Sequence, residues 1–328
     1  MLKYKYKETK EVRKLLNEIE ALRIVFETIK PLPHIEENIR RESILKSAVY
    51  SARIEGNPLR IEDVKIDSIS RTSKSISKLE VFNLHKAHNF IYSEKAPKKI
   101  NLSLIKKLHQ MVMSNMSTRA GEFRVEPWGI FNSAGVAVYL APAHFNIPGL
   151  MEEYVSFVNN IKYEAPIKSA ILQFIFEKIH PFADGNGRVG RLISAHIMNK
   201  GGYGFRGLVS MEETIDENRD YYYQVLEPGT NANPFVVFFL ESFVSQANSV
   251  LVRLSEKGEE QPEDRLLPRR REILEIIKDH PYCSFDFISR RFLAVNPKTL
   301  HYDLKKLQEE GFIIKAGKTR GVTYKVKD

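Results

Sequence analysis

Residues 180–191, HPFADGNGRVGR, combine a histidine, a carboxylate, three glycines and two arginines within twelve positions. Glycines allow a phosphate to approach the backbone closely, and the N–H groups at a helix N-terminus attract anions. Arg188 and Arg191 are three positions apart at the start of the helix that follows, so both guanidinium groups can flank one anion. The stretch therefore predicts a phosphate-binding loop that opens a helix.

The remaining polar side chains of this stretch have the chemistry of a phosphoryl-type transfer site. Asp184 is a hard oxygen ligand of the kind that holds Mg²⁺ together with substrate phosphates. His180 belongs to the residue type that titrates near neutral pH, which suits a base that takes a proton from a hydroxyl group. A phosphate cradle, a metal ligand, two arginines and a base are the parts that a nucleotide-using transferase requires.

Two other nucleotide-binding patterns fit less well. Gly185, Gly187 and Gly190 match the spacing of the dinucleotide fingerprint, but that motif follows a strand and needs an acidic residue about 20 positions later. Residues 200–207 contain no Asp or Glu, and no strand–helix alternation surrounds the motif. A P-loop is excluded because no Gly-Lys-Ser/Thr follows. A plain polar turn between two helices would not require this set of charged side chains.

Apolar residues recur at helical spacing along most of the chain, which predicts a mainly α fold. The predicted helices cover residues 1–30 after a lysine-rich start, 35–55, 79–92, 102–113, 150–161, 167–179, 189–200, 216–226 and 234–254. Residues 121–143 are instead rich in glycine, proline and aromatic residues, and they predict a short β-hairpin around Asn132-Ser133-Ala134-Gly135. His109, on the apolar side of its helix, is predicted to be a core histidine.

The last part of the chain differs in composition and in predicted order. Residues 255–267 form a charged linker, and residues 262–328 hold 15 Lys+Arg and 10 Asp+Glu, a net +5 of the chain's +9. Three predicted helices (268–279, 284–291 and 297–310) precede two strands, which is the order of a winged helix-turn-helix. The excess of positive charge fits DNA or a protein-docking surface. Basic residues are expected on the recognition helix (Lys298, His301, Lys305, Lys306) and on the wing (Lys315, Lys318, Arg320).

Glu55 breaks a local rule. It lies in the last turn of the second helix, where a carboxylate faces the negative end of the helix dipole at a cost of several tenths of a kcal/mol. Ser51 lies one turn earlier on the same face. Such a violation often indicates function, but on these residues alone a solvated glutamate before the helix stop at Gly56 and Pro58 is the favoured interpretation.

Together these residues resemble the Fic family. Residues 180–191 fill every fixed position of its signature, His-x-Phe-x-(Asp/Glu)-Gly-Asn-Gly-Arg-x-x-Arg. The resemblance extends over roughly residues 35–250, with Gly121-Glu122-Phe123-Arg124 before the hairpin and Asp220-Tyr221-Tyr222-Tyr223 after the core. It implies a Fic-type helical bundle with a β-hairpin flap that transfers AMP from ATP to a hydroxyl side chain of a target protein.

The resemblance also implies a role for each residue of the signature. His180 would deprotonate the hydroxyl group, Asp184 would hold Mg²⁺, and Phe182 would anchor the loop in the core. Phosphate would be bound by the N–H groups of Gly185, Asn186 and Gly187 and by the side chains of Arg188 and Arg191. Tyr222 and Tyr223 would line the adenine pocket, and the hairpin at 131–139 would hold the target chain by strand addition.

Residues 51–56, SARIEG, are similar to the inhibitory motif of the same family, (Ser/Thr)-x-x-x-Glu-(Gly/Asn). The motif implies that Glu55 pairs with Arg191 and blocks productive placement of the γ-phosphate, so the enzyme would inhibit itself. Two alternatives stay open. The same site could remove AMP or transfer another phosphate-containing group, or the chain could be a nucleotide-sensing DNA-binding regulator.

We therefore expect four segments. These are an N-terminal helical region with the inhibitory helix (1–100), a Fic catalytic core (101–254), a linker (255–267) and a winged helix-turn-helix (268–328). The N-terminal residues lack the apolar run of a signal peptide, the only cysteine is Cys283, and apolar runs such as 235–240 are shorter than a membrane span. The chain is expected in the cytoplasm, without a membrane partner, and as a homodimer.

Overall fold

Helices form most of the chain, as the apolar periodicity predicts. The computed structural model describes residues 4–31, 33–64, 75–131, 134–226, 229–255, 262–292, 295–317 and 321–327. The chain divides into two units, the first made of residues 1–29 and 40–253, the second of residues 30–39 and 254–328. Residues 1–29 and 101–253 thus belong to the same unit, and the four expected segments stay a prediction.

The first unit contains ten of the described α-helices and one hairpin. The helices are α1 (Lys10–Thr28), α2 (Pro33–Ile54, whose residues 33–39 belong to the second unit), α3 (Ile76–Tyr92), α4 (Leu102–Val112), α5 (Ile147–Asn160), α6 (Ala165–Ile179), α7 (Asn186–Met198), α8 (Glu212–Glu217), α9 (Arg219–Val225) and α10 (Asn233–Ser255). The hairpin pairs β1 (Gly129–Phe131) with β2 (Ala137–Leu140), and Asn132 and Ser133 of the predicted turn lie outside the described residues.

The centre of this unit is the pair α6 and α7, which are buried along nearly their whole lengths. Burying apolar side chains on both helices stabilises the fold and fixes the loop that joins them, residues 180–185. The signature loop is therefore held at both ends by core helices.

Several helix boundaries differ from the prediction, and two of the differences lie close to the site. The helix predicted at 216–226 is two helices, because Asn218 leaves helical geometry (φ −115°, ψ 36°) and its side chain donates to the carbonyl of Thr214. Helix α7 starts three residues earlier than predicted, at Asn186, because Gly185 takes a left-handed conformation (φ 81°) at its N-cap.

Helix α10 is apolar enough and long enough to cross a membrane by length and composition alone, with a window of mean hydropathy 1.6. Counting only uninterrupted apolar runs missed this property, since polar residues are scattered along the helix. Of that window, 56% is buried inside the structure. Phe235 packs against Phe174 of α6 and Tyr222 of α9 with ring centroids 6.0 and 6.1 Å apart, so α10 has the contacts of a core helix.

The second unit follows the order predicted for the C-terminal segment. It contains α11 (Pro268–Asp279), α12 (Phe285–Ser289) and α13 (Pro297–Glu309), with strands β4 (Ile313–Ala316) and β5 (Thr323–Val326). A two-residue strand, β3 (Cys283–Ser284), pairs with β5 and was not predicted, because two residues are too few for an alternating pattern. Lys318 and Arg320 of the predicted wing lie outside the described residues.

Candidate active site

His180 lies at the end of α6 in a left-handed conformation (φ 49°, ψ 60°), which is unfavourable for a residue with a side chain. Its N–H group donates to the carbonyl of Phe176, and its own carbonyl accepts from Arg124 Nε at 2.7 Å. The helix end and Arg124 together hold the strained residue, so the direction of the histidine ring is fixed.

Arg124 is a buried cation, 3% exposed, that binds backbone carbonyls rather than a carboxylate. Besides His180 it donates to the carbonyls of Glu126 (2.8 Å) and Pro142 (2.6 Å), and its N–H group donates to Pro181 at 2.9 Å. It fastens the signature loop to both sides of the hairpin. Arg124 is part of the Gly121–Arg124 segment that resembles the family, but the sequence assigned it no role. Its partners could not be predicted because they are distant in sequence.

The ring of His180 stacks on Trp128 with centroids 3.5 Å apart. Burial lowers the pKa of His180 to about 4, although a hydrogen bond to the backbone carbonyl of Glu177 acts in the opposite direction. The imidazole is therefore neutral at pH 7 and can accept a proton, as a general base must.

Phe182 is fully buried and anchors the loop, as expected from the resemblance. The side chain of Asn186 closes the loop by accepting from Phe182 N (2.9 Å) and donating to Phe182 O (2.8 Å). His109 stacks on Phe182 at 3.7 Å; it is buried, as predicted. His109 also links two segments by hydrogen bonds. Gly121 N donates to its Nδ1 (2.8 Å), and its Nε2 lies 3.1 Å from the carbonyl oxygen of Asp184 in the signature loop.

The N-terminus of α7 has N–H groups available for the predicted anion site. The N–H group of Gly185 donates to Asp184 Oδ1 at 2.6 Å, whereas those of Asn186 and Gly187 have no partner among the described residues. A carboxylate already lies at this position: a Cβ added at Gly187 would meet Glu55 Oε1 at 2.3 Å. Glu55 therefore occupies space close to where the loop would bind phosphate.

Glu55 Oε1 accepts from Arg191 Nη2 at 2.9 Å. Arg191 is 2% exposed, and it also donates to Ser51 through Nε (to Oγ, 3.1 Å) and Nη2 (to the carbonyl, 2.9 Å). Burial alone would lower the pKa of Arg191, but the charge of Glu55 raises it well above its usual range. The structure thus brings together the three residues that the inhibitory motif implied.

The end of α2 presents Glu55 through a Schellman motif. The N–H group of Gly56 donates to Arg53 O (2.9 Å) and that of Asn57 to Ala52 O (3.1 Å), with Gly56 at φ +97°. The glycine is required because this conformation is unfavourable for other residues. Glu55 is therefore the C-cap of the helix, and its position depends on the last turn of α2.

Arg188 is placed differently from Arg191. It is 4% exposed and donates to Glu80 Oε1 (2.5 Å) and to Asp184 Oδ1 (2.6 Å). Glu80, on α3, was missed by the sequence reasoning, which offered no signal for a contact across 108 positions. Asp184 has a side chain that is 66% exposed, so it can exchange Arg188 for another partner.

The two tyrosines predicted to line an adenine pocket lie in different surroundings. Tyr222 is 1% exposed, and its hydroxyl is 3.2 Å from Gln173 Nε2 and 3.5 Å from Arg191 Nη1. It supports Arg191 from within the core. Because the side chain is buried, little of the ring surface is accessible to an adenine ring. Tyr223 is 45% exposed and donates to the carbonyl of Ile54 at 2.9 Å, so it contacts the end of the α2 helix.

The hairpin is joined to the end of α6. Tyr139 donates to the carbonyl of Lys178, and Ala141 N donates to Trp128 O at 3.0 Å. Val136, just before β2, and Leu140, at its end, are 61% and 64% exposed, which leaves apolar side chains accessible on the hairpin. An exposed strand edge with apolar side chains is suited to strand addition by a peptide.

Metal binding would depend on few protein ligands. Among the described residues there is no group of three or more His, Cys, Asp or Glu side chains that could hold a metal ion. One exposed carboxylate, Asp184, beside a phosphate-binding loop fits Mg²⁺, which is usually held by one or two carboxylates together with substrate phosphates.

Glu177, on the last turn of α6, faces the same cluster and gives a testable prediction. Its Oε1 is buried without a hydrogen-bond partner among the described residues, and a Cβ at Gly190 would lie 2.6 Å from it. Burial, with the charge of Glu55, raises the pKa of Glu177 from 4.5 to about 8. Because the folded protein favours the neutral carboxyl group, the free energy of unfolding is highest below pH 4.5. It decreases as the pH rises from 4.5 to about 8.

Glu177→Gln should therefore stabilise the protein increasingly from pH 5 to 8, by at most about 3 kcal/mol at pH 7. Thermal melts at pH 5 and pH 8 measure this, with Glu152→Gln, on the exposed side of α5, as the control. An equal change at both pH values would contradict the raised pKa.

Comparisons with known proteins agree with this architecture. Residues 99–198 match the family model described as Fic/DOC family. Relatives named "Protein adenylyltransferase Fic" include that of Drosophila erecta, 27% identical over 179 residues, which cover 50% of this chain and 34% of that protein. The Aedes aegypti relative is 26% identical over 244 residues, which cover 71% of this chain and 46% of that protein. The chain spans less than half the length of these relatives.

Solved structures show the same fold. A Fic family protein from Desulfovibrio desulfuricans G20 superposes with a TM-score of 0.67 at 22% identity, covering 99% of this chain and 98% of that one. Fic-1 (residues 134–508) from C. elegans gives 0.64 at 21% identity, covering 75% and 74%. The predicted Fic-type helical fold is confirmed. The loop around His180 lies within residues 99–198, the part of the chain that matches the Fic/DOC family model.

Proposed function

We propose that this chain is a protein adenylyltransferase, which moves AMP from ATP to a hydroxyl side chain of a target protein and is inhibited by its own Glu55. One observation carries the proposal: Glu55 Oε1 lies 2.9 Å from Arg191 Nη2 at the N-terminus of α7, where the loop can bind an anion. A carboxylate in that place competes with a phosphate for the same cation. The names of the curated relatives support AMP transfer as the reaction.

The chemistry follows from the residues around the loop. The hydroxyl oxygen of the target attacks the α-phosphorus of ATP, the bond to the β-phosphate breaks, and pyrophosphate leaves. His180, neutral at pH 7, takes the hydroxyl proton. The N–H groups of Asn186 and Gly187 and the guanidinium groups of Arg188 and Arg191 bind phosphate oxygens. Asp184 would hold Mg²⁺, which neutralises charge on the phosphates when bound.

The position of a radioactive label tests the reaction. We expect the Glu55→Gly protein, given Mg²⁺ and a lysate, to incorporate label from ATP labelled at the α-phosphate and none from ATP labelled at the γ-phosphate. Label from the γ-phosphate would identify a kinase-type transfer instead. Loss of AMP from a previously AMP-modified target, with no incorporation, would identify the reverse activity.

The C-terminal unit is proposed as a docking module for another protein. Several of its basic side chains are held by acidic neighbours, which reduces the positive charge available to DNA. Lys306 pairs with Glu309 at 2.8 Å and Lys305 with the same carboxylate at 3.6 Å, whereas Arg269 and Arg270 bind the buried Asp303. Steeply salt-dependent binding to a DNA duplex would overturn this assignment. The cytoplasmic location and the homodimer stay predictions.

A further inference from the structure

Each arginine of the signature contacts a carboxylate supplied by an N-terminal helix. Arg191 binds Glu55 of α2, and Arg188 binds Glu80 of α3. Whereas the Glu55 side chain is 26% exposed, that of Glu80 is only 11% exposed. Because Glu80 has so little access to water, it depends on protein partners for its hydrogen bonds.

Arg188 depends on Glu80 more than on its other partner. Its Nε is buried without a hydrogen-bond partner among the described residues, and its remaining contacts are Glu80 and Asp184. Asp184 is the exposed residue of the two and the proposed metal ligand, so binding of substrate would draw it away. Glu80 then remains as the counter-charge that keeps the guanidinium in place.

Glu80 also binds the segment that carries Glu55. Its Oε2 accepts from Asn57 Nδ2 at 2.7 Å, and Asn57 is only two positions after Glu55. The same amide donates to the carbonyl of Ser77 (3.0 Å), while Asn57 Oδ1 accepts from Leu59 N (3.0 Å). A movement of the end of α2 would therefore pull directly on Glu80.

We propose that Glu80 is a positioning residue for the phosphate-binding side of the site. It holds Arg188 at the start of α7 when Asp184 turns to the substrate, and through Asn57 it couples Arg188 to the inhibitory segment. The inference rests on the proposed function, because it assigns Arg188 to ATP phosphates.

Neutralising Glu80 in the uninhibited protein tests the first part. Glu80→Gln keeps the shape of the side chain, so a role in packing alone predicts no change in either kinetic constant. We expect the Glu55→Gly/Glu80→Gln protein to show a KM for ATP raised about tenfold or more, the loss typical of a charge-assisted hydrogen bond, with a smaller change in kcat. Glu80→Asp, which keeps the charge, should recover part of the affinity.

The matched control is Asp303→Asn, which neutralises a buried carboxylate that binds two arginines in the second unit. In the Glu55→Gly protein, this substitution should leave the KM for ATP and the kcat of AMP transfer unchanged. Thermal melts of each variant report folding separately. An unchanged KM in a folded Glu80→Gln protein would overturn the positioning role.

Asn57→Ala, with Glu55 intact, tests the coupling. Loosening the segment should raise AMP transfer severalfold above the wild-type level and below that of Glu55→Gly. No increase would overturn the coupling through Asn57.

Measuring the equilibrium binding of ATP tests the role of Glu80 independently of whether the protein transfers AMP. If Glu55→Gly transfers no AMP, the proposed function fails, but ATP binding by Glu55→Gly with and without Glu80→Gln still measures the contribution of Glu80. Equal affinities would overturn the inference even then, and a tenfold difference would support it.

Discussion

Replacing His180 by alanine in the Glu55→Gly protein is expected to lower the rate of AMP transfer by about 10²–10⁴-fold, the contribution typical of a general base. Burial lowers the pKa of the ring, which stacks on Trp128 and bonds the backbone carbonyl of Glu177, to about 4, so the ring is neutral at pH 7. Without it the hydroxyl group must lose its proton to water.

The measurement is the initial rate of label transfer at saturating ATP. His180→Asn is the sharper variant, because asparagine tolerates the left-handed conformation found at this position (φ 49°) and cannot act as a base. ATP binding should change little in either variant. His85→Ala, at a half-buried histidine of α3, is the control and should keep the full rate. Retention of the full rate of AMP transfer by the His180→Asn protein would show that His180 is not the general base.

Removing the carboxylate of Glu55 is expected to raise AMP transfer at least about tenfold and to tighten ATP binding, because Arg191 and the N–H groups of α7 become available to phosphate. Glycine suits the end of a helix, so the substitution should preserve α2. Glu62→Gly, at an exposed glutamate seven positions further on, should leave the rate unchanged.

The Glu55→Gly substitution should also lower the thermal stability of the protein. Arg191 is 2% exposed and would lose its carboxylate partner. Breaking a fully buried pair typically costs about 3–5 kcal/mol, and the cost here should be smaller because the Glu55 side chain is 26% exposed. The Glu55→Gly protein should therefore melt at a lower temperature without ATP, and ATP should raise its melting temperature more than that of the wild type. An equal response to ATP in both proteins would contradict competition for Arg191.

Patterns that lie within one segment could be read from the sequence. Helical periodicity located α6 and α10, and the signature located the anion site because its glycines and arginines are contiguous. The pairing of Glu55 with Arg191 spans 136 positions, and only the family's inhibitory motif indicated it.

Contacts without a motif could not be predicted in this way. Arg124 meets His180 across 56 positions, His109 meets Asp184 across 75, and Glu80 meets Arg188 across 108. A buried polar side chain has no periodicity of its own, and its partner is decided by the packing of helices that are distant in sequence. The break at Asn218 was missed for a related reason, since a local side-chain hydrogen bond there competes with the helix.

Arg124 binds the carbonyl of His180 on one side and that of Pro142, just beyond the hairpin, on the other. A target chain that displaces the hairpin would therefore displace the base as well. On the proposed function, target binding at the hairpin and proton transfer at His180 would be coupled through Arg124. A target that binds the hairpin in the correct register would then also align the histidine, and one that binds out of register would misalign it. Mutations that broaden the choice of targets would accordingly reduce turnover, unless they leave the backbone at Pro142 in place.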